Sequence, residues 1–406
     1  MSSIYYDTLP NGLRMVHVTT MSQVAWCGLA VNAGSRDEDE GQYGLAHFVE
    51  HTIFKGTTHR RSWHILNRME SVGGELNAYT TKEGTMLYSV FPAQHLKRAV
   101  DLLADLVQWS VFPQEELDRE RDVVLEEAAS YRDAPSDAVC DDFEDLLFAG
   151  SELGHNILGI KEDVERMTSE DCMRYLKTLY VPSNMAFFSV GPERAEKVFR
   201  MVEKYFGGMS HTIAKRQRHM PKEVAPFKQV TVIGTHQAHT VVGARVPDRE
   251  DPLRYALMLL NNILGGPGMN SLLNVELRER RGYVYSVEST LSLLSDCGWI
   301  SIYLGCDPDD VRSSLQVIDR ITSRLSNELL PERRLEAYKR QYCGQLVVAA
   351  DSAEFLAMSA GRELLHRGCV STIDETIARI QAVTPEQIAQ AAAFLKAEKL
   401  SSLTFK

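Results

Sequence analysis

Closely spaced cysteine pairs are absent from the sequence. Its seven cysteines lie singly along 406 residues, and none of them forms a CxxC pair. This distribution argues against a cysteine-based zinc site and against the disulfide framework typical of small secreted proteins. We therefore expect free and mostly buried thiols, as in a reducing compartment.

The chain also lacks an excess of positive charge and an apolar run of membrane length. Lysine and arginine total 44 against 55 acidic residues, and the formal net charge of −11 disfavours nucleic acid as a partner. No segment approaches the roughly 18–20 apolar residues that cross a bilayer, so we expect no membrane insertion. The first residues show neither a secretory nor a transit pattern, which makes a cytoplasmic, bacterial-type protein the expectation.

Length and periodicity indicate two α+β domains related by internal duplication. Apolar alternation and helical spacing occur in the same order in both halves, at an offset of about 215 residues, so that the pattern of 93–107 returns at 307–325. Two unrelated αβ halves of similar composition are the alternative. We predict domains 1–218 and 219–406, divided near the polar, proline-bearing segment 215–228.

The segment HFVEH, residues 47–51, has the clearest chemistry. It lies in a region of helical spacing, so His47 and His51 share one helix face and can bind one ion. Glu50 lies beside them, where a carboxylate can take a proton from a metal-activated water. HxxEH is the inverted zincin signature. A catalytic zinc takes three protein ligands, so one more must come from elsewhere in the chain.

An acid-rich helix predicted over 114–131 offers candidates for the third ligand. Glu120 and Glu127 are two turns apart and share a face, whereas Glu126 points about 100° away from it. Periodicity alone does not decide which of these three glutamates is the third ligand. It also allows the whole charged face to be solvated and held by ion pairs between successive turns.

Four segments in this order resemble the pitrilysin (M16) zinc metallopeptidase family. They are GQYGLAHFVEHTIFKGT, GGELNAYTTKEGT, ERDVVLEEAASYRD and LNVELRERRGYVYSV, and the likeness extends over nearly the whole chain. Within the family, the chain is most similar to the mitochondrial-processing-peptidase-like (M16B) subfamily. The resemblance implies two duplicated αβ domains of the LuxS/metallopeptidase-like type, each with an antiparallel-rich sheet packed with helices.

The resemblance also assigns roles to individual residues. It makes Glu127, which lies 76 residues after His51, the third metal ligand, with Glu126 as the fallback. It makes Glu50 the general base and Glu120 the acid that holds a ligand histidine. In the second domain, Arg278 and Tyr285 match the family's donors to the developing oxyanion. The predicted edge strand that binds substrate contains Asn77, Ala78, Tyr79 and Thr80.

The function implied is that of a zinc-dependent endopeptidase, with one Zn²⁺ per chain, acting on extended peptides or unfolded protein segments. The positions 262–266, which correspond to 47–51 in the second half, contain neither histidine nor acid, so that half is expected to hold no zinc. The family further implies a homodimer or pairing with a related M16 chain. Two alternatives stay open: a non-catalytic chain that binds peptides or scaffolds a complex, and a peptidase active only with a partner.

Overall fold

The structure is a computed structural model that describes residues 3–214 and 217–406. The strands, in chain order, are β1 Ser3–Thr8, β2 Arg14–Thr19, β3 Val24–Val31, β4 Glu75–Thr80, β5 Thr85–Pro92, β6 Met185–Gly191, β7 Lys228–Thr231, β8 Ala238–Val246, β9 Val284–Leu293, β10 Gly298–Cys306 and β11 Ser401–Phe405.

The α-helices lie in the connections between these strands, in several places one after another. In chain order they are α1 Leu45–Thr52, α2 Ser62–Glu70, α3 Leu96–Trp109, α4 Gln114–Arg132, α5 Pro135–Leu147, α6 Lys161–Val164, α7 Ser169–Leu179, α8 Ala195–Phe206, α9 Arg254–Gly265, α10 Val311–Asn327, α11 Glu332–Ala350, α12 Ala353–Arg367, α13 Ile373–Gln381 and α14 Pro385–Ala392. A short π-helical segment covers Asn274–Glu279. Among the described residues, no helix is both long and apolar enough to cross a membrane.

Two compact units make up the chain, and each contains segments from both halves. The first comprises Met1–Ala128, His155–Arg218 and Ala349–Ser371. The second comprises Ala129–Gly154, His219–Val348 and Thr372–Lys406.

The sheet of the first unit has the strand order β1-β2-β6-β3-β5-β4. Only β2 and β6 are parallel, and every other neighbouring pair is antiparallel. One face of the sheet packs against α1, α3, α7 and α8 in the main core of the unit. The other face packs against α12, which belongs to the second half of the sequence.

The second unit repeats the order and directions of the five strands β2-β6-β3-β5-β4. Its strand order is β7-β11-β8-β10-β9, with β7 and β11 parallel and the remaining pairs antiparallel. One face is covered by α9, α10 and α14, and the other by α5 from the first half of the sequence. The shared order and directions support the expected duplication, and the predicted α+β class with antiparallel-rich sheets is confirmed.

The compact units differ from the predicted division into 1–218 and 219–406 in two segments. The stretch 129–154, which contains α5, lies in the second unit, and 349–371, which contains α12, lies in the first. The repeat in the sequence records the order of elements along the chain. It contains no information about which sheet a connecting helix packs on.

All seven cysteines are free, as the sequence predicts. Four of them are buried: Cys27, Cys172, Cys297 and Cys306. Burial raises the pKa of the Cys306 thiol to about 11, so this group stays neutral at ordinary pH.

Candidate metal centre

Helix α1 presents the HFVEH residues at the edge of the core. Its apolar residues Phe48 and Val49 are fully buried. The residue before the helix is Gly44, whose φ of 99° lies in the left-handed region, and a Cβ there would come within 2.8 Å of the Leu158 carbonyl oxygen. A glycine is therefore needed at the point where the chain enters the helix. The ring of His47 is mostly buried, and its Nε2 points toward Glu127.

Three side chains converge on one point. Nε2 of His51 lies 3.3 Å from Oε2 of Glu127, and Nε2 of His47 lies 3.8 Å from the same oxygen. One donor atom from each of the three residues falls within 4.8 Å of the others. Two imidazole nitrogens and a carboxylate oxygen are a donor set suited to zinc, with room for a further ligand. The residues present therefore fit the expected metal.

Helix α4 supplies the carboxylate. Its buried residues Leu117 and Val124 fix one face to the core, and Arg121 donates hydrogen bonds to the carbonyls of Val164 and Met167. Glu127 then points toward α1. Glu126, one residue earlier, is exposed and lies outside the group of converging donors, so the geometry favours Glu127 over Glu126.

The second nitrogen of His51 is held by Glu120. Nδ1 of His51 lies 3.0 Å from Oε1 of Glu120, and Nζ of Lys55 lies 2.5 Å from the other carboxylate oxygen. A carboxylate accepts only, so we assign the proton to Nδ1, which leaves the lone pair of Nε2 free for a metal. Burial opposes ionisation of Glu120, but its bonds to His51 and Lys55 outweigh burial and lower its pKa.

His47, His51 and Glu50 also have shifted pKa values. Burial, with the charge of neighbouring His51, lowers the pKa of His47 to about 4, so His47 is neutral at physiological pH. Burial also acts to lower the pKa of His51, but the hydrogen bond to Glu120 and the charges of Glu127 and Glu50 outweigh it and raise the value. Burial raises the pKa of Glu50, although Thr80 and His51 partly oppose the effect.

A buried carboxylate caps the first turn of α1 from outside the helix. Oε2 of Glu38 accepts a hydrogen bond from the Gly44 N–H at 2.9 Å, and Oε1 accepts one from the Ala46 N–H at 2.7 Å. Nε2 of His155 lies 3.0 Å from Oε2 of the same carboxylate. Negative charge at a helix N-terminus is favourable, and the backbone donors there need acceptors. Glu38 therefore fixes the turn that carries His47.

Strand β4 lies beside the site and forms one edge of its sheet. It pairs with β5 alone, so its other edge is unpaired within the sheet. Its last residue, Thr80, interacts with Glu50. Along the strand, the side-chain oxygen of Asn77 accepts a hydrogen bond from the Ala78 N–H at 2.9 Å. Of the four residues predicted to bind substrate, Asn77 is exposed, and Ala78, Tyr79 and Thr80 are half-buried.

Comparison with known proteins identifies the family. The description "Insulinase (Peptidase family M16)" matches residues 14–161, and "Peptidase M16 inactive domain" matches 166–342. An uncharacterized zinc protease of Streptomyces coelicolor is 34% identical over 396 residues, with 96% of this chain and 86% of the relative covered. The chain belongs to peptidase family M16.

Two further proteins extend this likeness. The mitochondrial-processing peptidase subunit beta of Bos taurus is 28% identical over 389 residues, covering 94% of this chain and 79% of that protein. A protease from Helicobacter pylori has the same fold, with a TM-score of 0.92 at 20% identity and full coverage of both chains. The predicted family is confirmed, and the names of the relatives support a zinc-dependent protease.

Arg278 and Tyr285, the residues predicted from the M16 resemblance to stabilise an oxyanion, both lie in the second unit. Arg278 is exposed in the π-helical segment Asn274–Glu279 and makes no ion pair within the described ranges. Tyr285 lies on β9 with 62% of its surface exposed. Their role stays a prediction.

Among the described residues of the second half, no set of side chains equivalent to His47, His51 and Glu127 is present. The positions 262–266 fall at the end of α9, with Gly266 as its C-cap. Within residues 3–214 and 217–406, the His47, His51 and Glu127 group is the one set of three such side chains close enough to hold an ion.

Sequence reasoning did not identify Lys55 or Glu38. Lys55 follows His51 by four residues, so helical spacing would place it near the same face, but α1 ends at Thr52. Glu38 lies six residues before Gly44 in an irregular segment, where no capping pattern points to it. His155 is buried against Glu38 and lies outside the group of converging donors.

Proposed function

We propose that the chain is a zinc-dependent endopeptidase that hydrolyses peptide bonds in extended peptides or unfolded protein segments. The observation that carries this proposal is the convergence of His47, His51 and Glu127 beside Glu50, next to the free edge of β4. The names of the zinc protease relatives agree with it.

The metal would be held by His47, His51 and Glu127. When bound, zinc supplies a Lewis acid that polarises a peptide carbonyl and lowers the pKa of a water molecule. Glu120 contributes by fixing the His51 ring through Nδ1, so that its Nε2 is available as a ligand.

Glu50 is the proposed general base. It lies one turn after His47 on α1, and its carboxylate is close enough to His51 and Glu127 to be affected by their charges. Because burial raises its pKa, Glu50 is a stronger base than an exposed glutamate. It takes a proton from the attacking water and returns it to the departing amine.

The free edge of β4 is the proposed binding surface for substrate. A peptide added as a further strand satisfies its own main-chain groups with those of Asn77 to Thr80, whatever its side chains are. This mode requires an extended chain and gives broad specificity. Arg278 and Tyr285 are the proposed donors to the oxyanion.

Replacement of the base tests the proposal. We expect the wild-type protein to contain one zinc per chain and to cleave a quenched fluorescent peptide library. Glu50→Gln keeps the shape and the three ligands, so it should retain zinc but lose cleavage by about a hundredfold or more. Equal cleavage by both proteins would contradict the role of Glu50.

A matched pair on α4 tests the third ligand. Glu127→Gln should bind zinc far more weakly, because a neutral amide replaces the carboxylate ligand. Glu126→Gln makes the same change one residue earlier on an exposed side chain and should bind zinc like the wild type. The reverse result would assign the ligand to Glu126.

A chain that needs a partner is the second candidate function. One relative is named as a subunit of a processing peptidase, and the family description matching 166–342 refers to an inactive domain. Under this proposal the purified chain, as a monomer or homodimer, holds zinc and cleaves nothing. Zinc analysis together with sedimentation and the library assay separates the two candidates.

A further inference from the structure

The second unit contains a cavity on the helix-covered face of its sheet. It has a volume of about 570 Å³ and opens between α10, β7 and β11. Its apolar floor is formed by Val242, Leu315 and Leu400. A volume of this size is in the range of binding sites rather than of packing defects.

The duplicated topology shows what occupies the same position in the first unit. There β2, β6 and α3 correspond to β7, β11 and α10 by strand order and by place in the chain. The first unit covers this position with α8, which packs on both α3 and β2.

Helix α8 fits its position through one apolar stripe. Val198, Val202 and Phe206 are fully buried in the same core cluster as residues of β2, β6 and α3. Their spacing of four residues puts them on one side of the helix. A single amphipathic helix thus fills in the first unit the volume that is a cavity in the second.

We propose that the cavity of the second unit is a docking site for an amphipathic helix of a partner chain, with acidic residues on the flanks of its apolar stripe. The helix takes the position that α8 has in the first unit. This surface is separate from the metal centre, and the proposal does not depend on peptidase activity.

The charges around the cavity favour acidic flanks. Lys228, Arg312 and Lys406 line the opening, and Asp319 is the one acid among its lining residues. Lys228, Arg312 and Lys406 are all exposed. They can therefore contact a bound helix without breaking contacts in the core. Complementary charge of this kind raises the association rate and fixes the orientation of a docked helix.

A pair of peptides probes the site. Both carry the apolar residues of α8 and are stapled on the solvent side, because isolated short helices are marginal in water. The first has glutamate at the positions of Lys197, Arg200 and Lys204, and the second keeps the native basic residues. Fluorescence anisotropy with the full-length protein measures binding, and a benzophenone at the centre of the peptide maps the contact.

We expect the acidic peptide to bind with a Kd below about 100 μM and the basic peptide at least about tenfold more weakly. Arg312→Glu should weaken the acidic peptide about tenfold, while Arg379→Glu, an exposed charge on α13, should not. Leu315→Asp should abolish binding of the acidic peptide. A thermal melting curve of this variant checks that it still folds. Cross-links should fall on α10, β7 or β11.

Three results would overturn the proposal. The first is no binding of either peptide at millimolar concentration, and the second is cross-linking elsewhere on the protein. The third is a wild-type dimer that Leu315→Asp converts to a monomer, because a second copy would then occupy the cavity.

Discussion

Glu120 holds His51 in place through Nδ1, at 3.0 Å, from a helix that begins 62 residues after α1 ends. The same carboxylate is paired with Lys55 at 2.5 Å. The lysine keeps the carboxylate ionised and restrains its rotation, so it supports the imidazole indirectly. His51, Glu120 and Lys55 thus form one line of hydrogen-bonded side chains that ends at the proposed metal centre.

Removal of Glu120 should weaken metal binding although it is not a ligand. In Glu120→Ala the His51 ring loses the acceptor that fixes its tautomer, and we expect zinc affinity to fall about 10–100-fold. Competition against a chromophoric chelator measures this change. Glu126→Ala is the matched control on the same helix, and comparable losses in both variants would show that the effect is not specific to Glu120.

Zinc affinity should depend on pH chiefly through His51. Its pKa is raised in the metal-free protein, so below that pKa zinc must displace a proton and the affinity should fall about tenfold per pH unit. Above that pKa His51 is already neutral, so it no longer makes the zinc affinity depend on pH. His47, with a pKa of about 4, adds a second proton only in strong acid.

Chelator competition between pH 5 and 8 tests this dependence. Glu120→Gln removes the charge that helps raise the pKa of His51, so its affinity should begin to fall at a lower pH than in the wild type. Identical midpoints in the two proteins would argue against the assigned pairing of His51 with Glu120.

Elements with a strong local pattern could be predicted from the sequence. The helix predicted at 114–131 is Gln114–Arg132. The HxxEH spacing was sufficient to place His47 and His51 together, because four residues on a helix bring two side chains to one face. Choosing Glu127 over Glu120 and Glu126 required the resemblance to a family.

Other features depend on contacts between distant segments. Helices α5 and α12 pack on the sheet of the unit formed mainly by the other half of the chain. Glu38 is a single acid in an irregular segment, and only the folded chain brings it to the Gly44 N–H. Local periodicity contains no signal for either arrangement.

Glu38 should support the metal centre through the first turn of α1. In Glu38→Ala two backbone donors and His155 lose a buried acceptor, and we expect the free energy of unfolding to fall by about 2–4 kcal/mol. Zinc affinity should fall as well, because His47 lies on the turn that is released. Glu38→Gln, which keeps an oxygen acceptor, should recover part of both losses.

A second buried carboxylate, Asp105, serves as a control that distinguishes the positioning role of Glu38 from a general effect on stability. Asp105 binds Thr57, His59 and Arg60 in the first unit, and its side chain is only 4% exposed. Asp105→Asn should therefore also lower stability. If its zinc affinity falls as much as that of Glu38→Ala at equal stability, the positioning role of Glu38 is wrong.

Two helical glycines should respond in opposite ways to the same substitution. Gly361 lies on α12, where an added Cβ would come within 2.6 Å of Phe188 Cδ1 and 2.9 Å of Met86 Cε on the sheet of the first unit. Gly344 lies on α11, where a Cβ meets no atom within 4 Å. Alanine is the better helix former at both positions, by about 1 kcal/mol.

Packing decides the difference between them. Gly361→Ala should lower the free energy of unfolding by about 1–3 kcal/mol, because overpacking against Phe188 outweighs the gain in propensity. Gly344→Ala has no such contact and should raise it by about 0.5–1 kcal/mol. Urea unfolding of the two variants measures both changes. A gain in stability from Gly361→Ala would mean that α12 does not lie against β6, and the assignment of 349–371 to the first unit would fail.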